Sequence, residues 1–149
     1  IGTILGLDHH WNVAIIGMGH LGAALANYQG IARLGFRLAA IFDANPIVIG
    51  TRVGERRVED IAYLAEIIAE RDIRIGVIAV PAAAAQEVAD KLVAAGIRGI
   101  WNFAPVNIQV PPTIPFVSED LSVGLSALSY YLSHAMHEET VLSDKNSHD

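Results

Sequence analysis

The chain of 149 residues contains no cysteine, which excludes disulfide bonds, thiolate catalysis and cysteine-ligated metal sites. Charged residues are also scarce, at 17% against 52% apolar residues, and this balance allows a full hydrophobic core. Long hydrophobic runs are missing as well. The most apolar segment, residues 73–85, contains Arg74 and Pro81, whereas a membrane helix needs about 18 uninterrupted apolar residues. The apolar excess therefore predicts a sheet that is buried on both faces and suggests a subunit interface.

Basic residues are too few to form a nucleic-acid surface. The 10 Lys and Arg residues are outnumbered by 16 Asp and Glu, which gives a net charge of −6. Because an acidic surface repels phosphates, we expect this chain to bind DNA poorly by itself. We expect no signal peptide in residues 1–7, which look like the end of an element that begins upstream. We therefore expect a further N-terminal segment in the natural protein.

Strand and helix patterns alternate along the chain, which is typical of parallel βαβ units. Short apolar runs predict strands at Trp11–Ile16, Phe36–Phe42, Ile75–Val80, Gly99–Phe103 and Phe116–Ser118. Helices are predicted at His20–Gln29 with Gly30 as C-terminal cap, from Glu59 and Asp60 through Ile68, and at Ala82–Ala95. The predicted fold class is α/β, with a Rossmann-like, doubly wound and mostly parallel sheet.

The last predicted element is a helix from about Asp120 to His137. One side carries apolar residues three or four positions apart, namely Leu121, Leu125, Leu128, Leu132 and Met136. A second stripe consists of small residues, namely Ser122, Ser126, Ser129 and Ser133. A helix of this kind can pack closely on another surface. We predict one domain over residues 1–137 that includes this helix, followed by a disordered polar tail at 138–149.

A glycine-rich turn follows the first predicted strand. Residues 17–22 match the pattern G-x-G-x-x-G between an apolar strand and a helix, which is the setting that this pattern requires. Gly17 would permit the tight turn, Gly19 a close approach to a pyrophosphate, and Gly22 the packing of helix on strand. Backbone amides at the start of the helix would then face the phosphates. Met18, His20 and Leu21 belong to the same segment and are also predicted to bind the cofactor.

Asp43 ends the second predicted strand, about 20 residues after Gly22, where doubly wound folds place the acid that binds the ribose 2′-hydroxyl. A carboxylate at this position repels a 2′-phosphate, so the sequence favours NAD over NADP. Arg52, Arg56 and Arg57 follow downstream and would weaken this preference if they faced the ligand, but we expect them in a solvated loop. The alternative for the whole motif is a turn that binds no ligand.

Five segments in this order carry a family resemblance: residues 15–22 (IIGMGHLG), 42–43 (FD), 79–81 (AVP), 101–105 (WNFAP) and 119–125 (EDLSVGL). Together they resemble the C-terminal domain of the Rex family of redox-sensing repressors, over nearly the whole chain apart from the polar tail. The glycine motif is shared with many dehydrogenases. The Asn-Phe-Ala-Pro segment and the closing Glu-Asp-Leu helix are far more specific to this family.

The resemblance implies a cytoplasmic, homodimeric bacterial regulator rather than an enzyme or a membrane protein. Rex proteins bind operator DNA through an N-terminal winged-helix domain, which is missing from this chain, and NADH or NAD+ through a Rossmann-like domain. The resemblance also implies that the dimerisation helix 120–137 is swapped between subunits, with packing against its own sheet as the alternative. Since the chain has no thiol, a sensor built on it must read a diffusible redox carrier.

The resemblance assigns several further residues to the cofactor site. Asp120 matches an acid that reaches the partner's nicotinamide region, and Tyr28 matches a tyrosine that couples cofactor state to this acid. The nicotinamide loop corresponds to Asn102, Phe103, Ala104 and Pro105, and the wall of the cleft to Val80 and Pro81. Asp120 has helix capping as its alternative role, and Tyr28 has interface packing. Leu121 stands where some relatives carry an aromatic residue, which leaves only apolar contact with the nicotinamide there.

Three other interpretations remain open at this stage. The first is a cofactor domain cut from an NAD-dependent dehydrogenase, but the chain is too short to include a substrate domain and offers no convincing acid–base pair. A CoA-binding domain uses a similar glycine turn, but Asp43 favours an NAD ribose. His134, His137 and Glu138, or His9 and His10, are candidate metal ligands, although histidines at a helix end are usually solvated. We expect no metal.

Overall fold

The computed structural model describes residues 10–119 and 128–136. The chain divides into two compact units, Ile1–Glu119 and Asp120–Asp149. The first unit contains the sheet and the helices around it. The described part of the second unit is helical over residues 128–136. None of the helices in these two described ranges is both long and apolar enough to cross a membrane.

The first unit is built on a six-stranded sheet in which all neighbouring strands run parallel. The described residues contain eight strands, of which six form this sheet: β1 (Trp11–Ile16), β2 (Phe36–Asp43), β3 (Arg52–Val53), β4 (Arg56–Arg57), β5 (Glu59–Asp60), β6 (Ile73–Ile78), β7 (Gly99–Asn102) and β8 (Phe116–Ser118). Their order in the sheet is β5–β2–β1–β6–β7–β8, and β3 pairs with β4 in a separate hairpin. The direction of winding reverses between β1 and β6, as in dinucleotide-binding folds, so the predicted fold class is confirmed.

Helices flank both faces of this sheet: α1 (His20–Ala26), α2 (Gly30–Arg33), α3 (Leu64–Glu70), which follows a 3-10 turn at Ile61–Tyr63, and α4 (Ala82–Ala94). The helices α3 and α4 cover one face and form the main core with the sheet. Leu92 of α4 and Ile68 of α3 are buried there against Phe42 and Ile78. This core fixes the ends of β1, β2, β6 and β7, from which the loops of the candidate site emerge.

The opposite face of the sheet is covered only in part. Ile15 and Val77 are buried beneath the α1 side, whereas Trp101 on β7 is half-buried. The strand register places Trp101 between Val77 and Val117, and Val117 is 55% exposed. The apolar surface therefore continues from the core to the solvent along β7 and β8.

The end of the first helix was predicted wrongly. α1 ends at Ala26 with Asn27 as its C-cap, and Gly30 begins α2 instead of capping α1. The left-handed glycine that closes this segment is Gly35, with φ of 89°. A single glycine between two short helices has no signal that distinguishes a cap from a start, so the sequence pattern joined the two elements.

The assignment of Glu59 and Asp60 to a helix was also wrong. They form the edge strand β5, which pairs in parallel with the end of β2. Glu59 is held there by Arg71, whose guanidinium donates to both carboxylate oxygens at 2.7 and 2.8 Å. Asp60 instead caps the following 3-10 turn by accepting a hydrogen bond from the Ala62 N–H at 2.9 Å. Acidic residues before a helix are thus compatible with a strand when a tertiary ion pair holds them.

The second unit is described only over the helix 128–136. Its members of the predicted apolar stripe are largely exposed, at 55% for Leu128, 58% for Leu132 and 67% for Met136. Tyr130 stacks on His134, with ring centroids 6.1 Å apart. The predictions for residues 1–7, for residues 120–127 including Asp120, Leu121 and Leu125, and for the tail 138–149 lie outside the described residues.

Candidate functional site

The three motif glycines have different structural roles. Gly17 has φ of +105°, and a Cβ there would lie 2.6 Å from the carbonyl oxygen of Ala79, so this turn requires glycine. A Cβ at Gly22 would collide with the Gly17 carbonyl, because α1 starts directly against the turn. Gly19 has nothing within 4 Å of its Cβ position. Its open surroundings are the space that a pyrophosphate needs for close approach to the backbone.

Asp43 fixes the glycine loop to the end of β2. Its Oδ2 accepts a hydrogen bond from the Met18 N–H at 2.8 Å, and its Oδ1 accepts one from the Asn45 N–H at 2.9 Å. The Gly17 N–H also donates to the carbonyl oxygen of Phe42 at 2.8 Å. Because each carboxylate oxygen carries two lone pairs, the half-buried Asp43 can still accept hydrogen bonds from ribose hydroxyls.

A cavity of about 460 Å³ lies at the carboxyl ends of the central strands, where the sheet reverses its winding. It brings together predicted site residues from four separate segments, namely Gly17, Met18, Gly19, His20, Leu21, Asp43, Val80, Pro81, Phe103 and Pro105. β6 ends at Ile78 and β7 at Asn102, earlier than predicted, so residues 79–81 and 103–105 are loops that can form its wall.

The loop after β7 divides its residues between the cavity and the core. Phe103 and Pro105 line the cavity, whereas Asn102 and Ala104 are buried at 0% and 3% exposure and do not line it. The Phe103 ring also contacts Trp101, with centroids 4.6 Å apart. The strand alternation of β7 therefore continues into the loop and turns every second residue away from the cavity.

Two other predicted site residues do not line this cavity. Gly22 is buried where α1 packs on the turn. Tyr28 is 62% exposed and lines a separate cavity of about 410 Å³, together with Leu25 and Phe36. Its ring lies directly over Gly30, where a Cβ would collide with it. Asp120 lies outside the described residues.

The sequence analysis missed three lining residues, Asn45, Val48 and Ala79. The Asn45-Pro46 pair was interpreted only as a break after β2. In the structure the Asn45 side chain accepts a hydrogen bond from the Ile47 N–H at 3.0 Å and opens a turn that brings Val48 to the cavity. Asx turns of this kind are signalled by Asn-Pro pairs, so the position of Asn45 after Asp43 was a usable signal.

The arginines after β2 do not line the cavity. Arg56 donates from Nε to the carbonyl oxygen of Leu38 at 2.7 Å, and Arg57 donates to that of Gly50 at 3.0 Å. Within residues 10–119 and 128–136, no group of three or more His, Asp or Glu residues is placed to hold a metal ion. His9, His137 and Glu138 fall outside those ranges.

These residues fit a dinucleotide with an unmodified adenosine ribose. The open position over Gly19 accepts phosphates, and Asp43 offers carboxylate oxygens to a diol. Among the described residues that line the cavity, none is a lysine or an arginine to bind a 2′-phosphate. Phe103, Pro105 and Val80 add apolar lining that follows β6 and β7, which β1 separates from the strand that ends at Asp43.

The chain is similar to a family of ligand-binding domains and to several bacterial repressors. Residues 8–106 match the family model of the CoA binding domain. The redox-sensing transcriptional repressor Rex of Clostridium perfringens is 46% identical over 134 residues, which cover 90% of this chain and 63% of that protein. The chain thus spans less than two thirds of the length of this relative.

Two solved structures of RSP, a Rex-family repressor, have the same fold. The crystal structure of RSP in complex with β-NADH matches with a TM-score of 0.82 and 40% identity, over 93% of this chain and 67% of that chain. The structure of RSP in complex with β-NAD+ and operator DNA matches with a TM-score of 0.83 and 40% identity, over 93% and 64%.

The glycine turn, the carboxylate at the end of β2 and the matched family model are thus consistent with the Rex repressor and with the RSP structures. Each of these relatives is a transcriptional repressor rather than an enzyme, which weakens the alternative of a dehydrogenase fragment. The chain carries a domain of the CoA-binding type and belongs to the Rex family of redox-sensing repressors.

Proposed function

We propose that this chain is the sensor domain of a Rex repressor, which binds NADH or NAD+ and couples their ratio to DNA binding. The observation that carries the proposal is the bond from the Met18 N–H to Asp43 at the edge of an open cavity. It joins the phosphate loop and the ribose acid into one preformed unit. Asp43 keeps further lone pairs on its half-buried carboxylate, and these are free to accept hydrogen bonds from a ribose.

The residues divide into an adenosine half and a nicotinamide half. Asp43 would hold the adenosine ribose, and the backbone from Gly17 to Leu21 would hold the pyrophosphate. Since the two halves of a doubly wound sheet bind the two nucleotides, the nicotinamide belongs beside Val80, Pro81 and the loop of Phe103 and Pro105. We assign Asn102, Ala104 and Gly22 to the support of this site rather than to ligand contact, because they are buried away from the cavity.

The apolar wall favours the reduced cofactor. The nicotinamide ring, when bound, supplies a positive charge in its oxidised form and none in its reduced form. Phe103, Pro105 and Val80 offer no counter-charge, so a neutral ring is desolvated there at lower cost. Asp120 of the partner subunit would favour the charged ring instead, as the family resemblance implies. A ligand shifts the equilibrium between two conformations of a protein only by its differential affinity for them. A preference of about 10⁴-fold for one conformation, or ~5.5 kcal/mol, would move the equilibrium almost completely.

We further propose a homodimer formed through a swapped helix at residues 120–137. Leu128 and Leu132 are more than half exposed, and an exposed apolar stripe of this kind is typical of an interface. The partly covered face at Trp101 and Val117 is a second apolar surface without full cover. Tyr28 would transmit cofactor state within this dimer.

Operator DNA would be bound by an N-terminal winged-helix domain outside this chain, in the cytoplasm. The net charge of −6 favours this division, because this chain alone repels phosphates. The chain covers 63% of its relative, which leaves room for a further domain of that kind.

Isothermal titration of the chain with NADH and NAD+ tests the proposal. We expect both to bind in the Gly19 cleft, with NADH the tighter ligand, and no turnover of NADH with candidate alcohol or aldehyde substrates. Because the family model is named for CoA, thermal shifts with NADH and with CoA are compared in parallel. A larger shift with CoA, or equal affinities for the two redox forms, contradicts the sensor function.

A further inference from the structure

Asn102 is the one fully buried polar side chain in the described residues, and all of its polar atoms are used. Its Oδ1 accepts a hydrogen bond from the Ala104 N–H at 2.9 Å. Its Nδ2 donates to the Ala104 carbonyl at 3.0 Å and lies 3.3 Å from both the Val106 carbonyl and Ser118 Oγ. One amide thus ties the loop 103–106 to itself and to strand β8.

The loop held by Asn102 is the one that supplies the nicotinamide-side wall. Phe103 and Pro105 line the cavity, and Ala104 between them is fixed at both its N–H and its carbonyl by Asn102. The Asn102 side chain itself does not reach the cavity. Any effect of Asn102 on a ligand must therefore pass through the positions of Phe103 and Pro105.

We propose that Asn102 is a positioning residue that sets the nicotinamide wall and leaves the adenosine half of the site unaffected. This inference rests on the proposed NAD(H) function. The adenosine half is held by a separate set of bonds, from Met18 and Asn45 to Asp43, in which Asn102 takes no part. The two halves of the cavity therefore have independent supports.

The chemistry of the site demands an amide rather than a carboxylate. Asn102 must accept one hydrogen bond and donate to oxygen atoms at the same time, and an aspartate of the same size accepts but cannot donate when ionised. In the Asn102→Asp variant, the new carboxylate would face the carbonyl oxygens of Ala104 and Val106 without a donor between them. The loop would then have to move away from its bonded position.

The test compares NADH with ADP-ribose, which has the same adenosine diphosphate half and lacks the nicotinamide. Dissociation constants are measured by titration for the 149-residue chain and for Asn102→Asp and Asn102→Ser. We expect Asn102→Asp to raise the dissociation constant of NADH by about tenfold, as for one or two lost hydrogen bonds, and that of ADP-ribose by less than about twofold. Asn102→Ser keeps one donor and one acceptor and should lie in between. It also serves as the measured variant if Asn102→Asp does not fold.

The ratio of the two dissociation constants is the readout, because partial unfolding weakens both ligands equally and cancels in the ratio. Gln86→Ala is the matched control. Gln86 holds the same loop further along, through paired bonds to the Gln109 N–H at 2.8 Å and carbonyl at 2.9 Å, away from the cavity. We expect its ratio to equal that of the unsubstituted chain.

Three results would overturn the inference. Asn102 variants that weaken both ligands equally would show a structural role only. A changed ratio of the two dissociation constants in Gln86→Ala would show that loosening the loop at another point has the same effect as loosening it at Asn102. An unsubstituted chain that binds neither ligand would remove the proposed function together with this inference, whereas either of the first two results would remove the inference alone.

Discussion

The Met18 N–H donates a hydrogen bond to Oδ2 of Asp43 at 2.8 Å, across 25 positions of sequence. The acid expected to grip a ribose therefore also supports the loop expected to hold the phosphates. Two features that the sequence presents as separate motifs are one mechanical unit in the fold. Variants of Asp43 should affect both functions together.

Replacing Asp43 with Asn should weaken NADH binding by about 10- to 100-fold, since hydrogen bonds to a charged group contribute about 1.5–3 kcal/mol. It should also reduce the preference for NADH over NADPH, because the charge that repels a 2′-phosphate is lost. Titration with both cofactors measures the two effects. Asp90→Asn, at an exposed position on α4, is the control. An unchanged NADH/NADPH ratio in Asp43→Asn would contradict the assigned role.

The two glycines Gly19 and Gly22 should separate binding from stability. A Cβ at Gly22 collides with the Gly17 carbonyl, so Gly22→Ala should destabilise the chain by about 1–3 kcal/mol. A Cβ at Gly19 meets no atom within 4 Å, so Gly19→Ala should keep its Tm but weaken NADH by about tenfold. Thermal unfolding and titration of both variants check this. Full NADH affinity in Gly19→Ala would place the phosphates elsewhere.

Leu132→Asp should dissociate the proposed homodimer, because it puts a charge into the exposed apolar stripe of helix 128–136. Sedimentation velocity measures the change in mass. His134→Glu adds the same charge two positions further on, about 200° around the helix. Because it also removes the stacking of His134 on Tyr130, its helix content is checked by circular dichroism. A dimer that survives Leu132→Asp would mean that this helix face is not the interface.

Two ion pairs of the same charge type should differ in their contribution to stability. Arg71 and Glu59 are 33% and 27% exposed and form a bidentate pair, so Glu59→Gln should cost about 1 kcal/mol. Lys91 and Glu87 are 48% and 74% exposed at 3.5 Å, so Glu87→Gln should cost less than about 0.5 kcal/mol. Urea unfolding of both variants measures the two losses in the free energy of unfolding. Equal losses would show that the β5 edge does not depend on its ion pair.

Local patterns were sufficient where a single principle dominated. The strands Trp11–Ile16 and Phe36–Asp43 and the short strand Phe116–Ser118 were predicted to within one residue, because apolar runs with clear breakers have few alternatives. The glycine turn was predictable for the same reason. Glu59 and Asp60 were not, because their strand exists through pairing with β2 and the contact with Arg71.

The loop of Asn102, Phe103, Ala104 and Pro105 shows the limit of motif reasoning at the candidate site. The four residues form one continuous segment of the family pattern, and all were assigned to the cofactor. In the structure they alternate between cavity and core, and the separation depends on bonds from Asn102 to Val106 and Ser118. Tyr28 was likewise assigned to the cofactor site but lines a different cavity.

Composition, periodicity and the glycine spacing determined the class of fold and most of its strands and helices, because these depend on residues that are close together in the chain. The bond between Met18 and Asp43 joins residues 25 positions apart and was decided by the folded sheet. Which residues face the ligand, which support it and which surface stays uncovered depend on contacts between distant segments. Side-chain direction is set by strand register and by hydrogen bonds that close only when β7, β8 and the glycine loop are in place. The sequence pattern alone therefore does not predict these contacts.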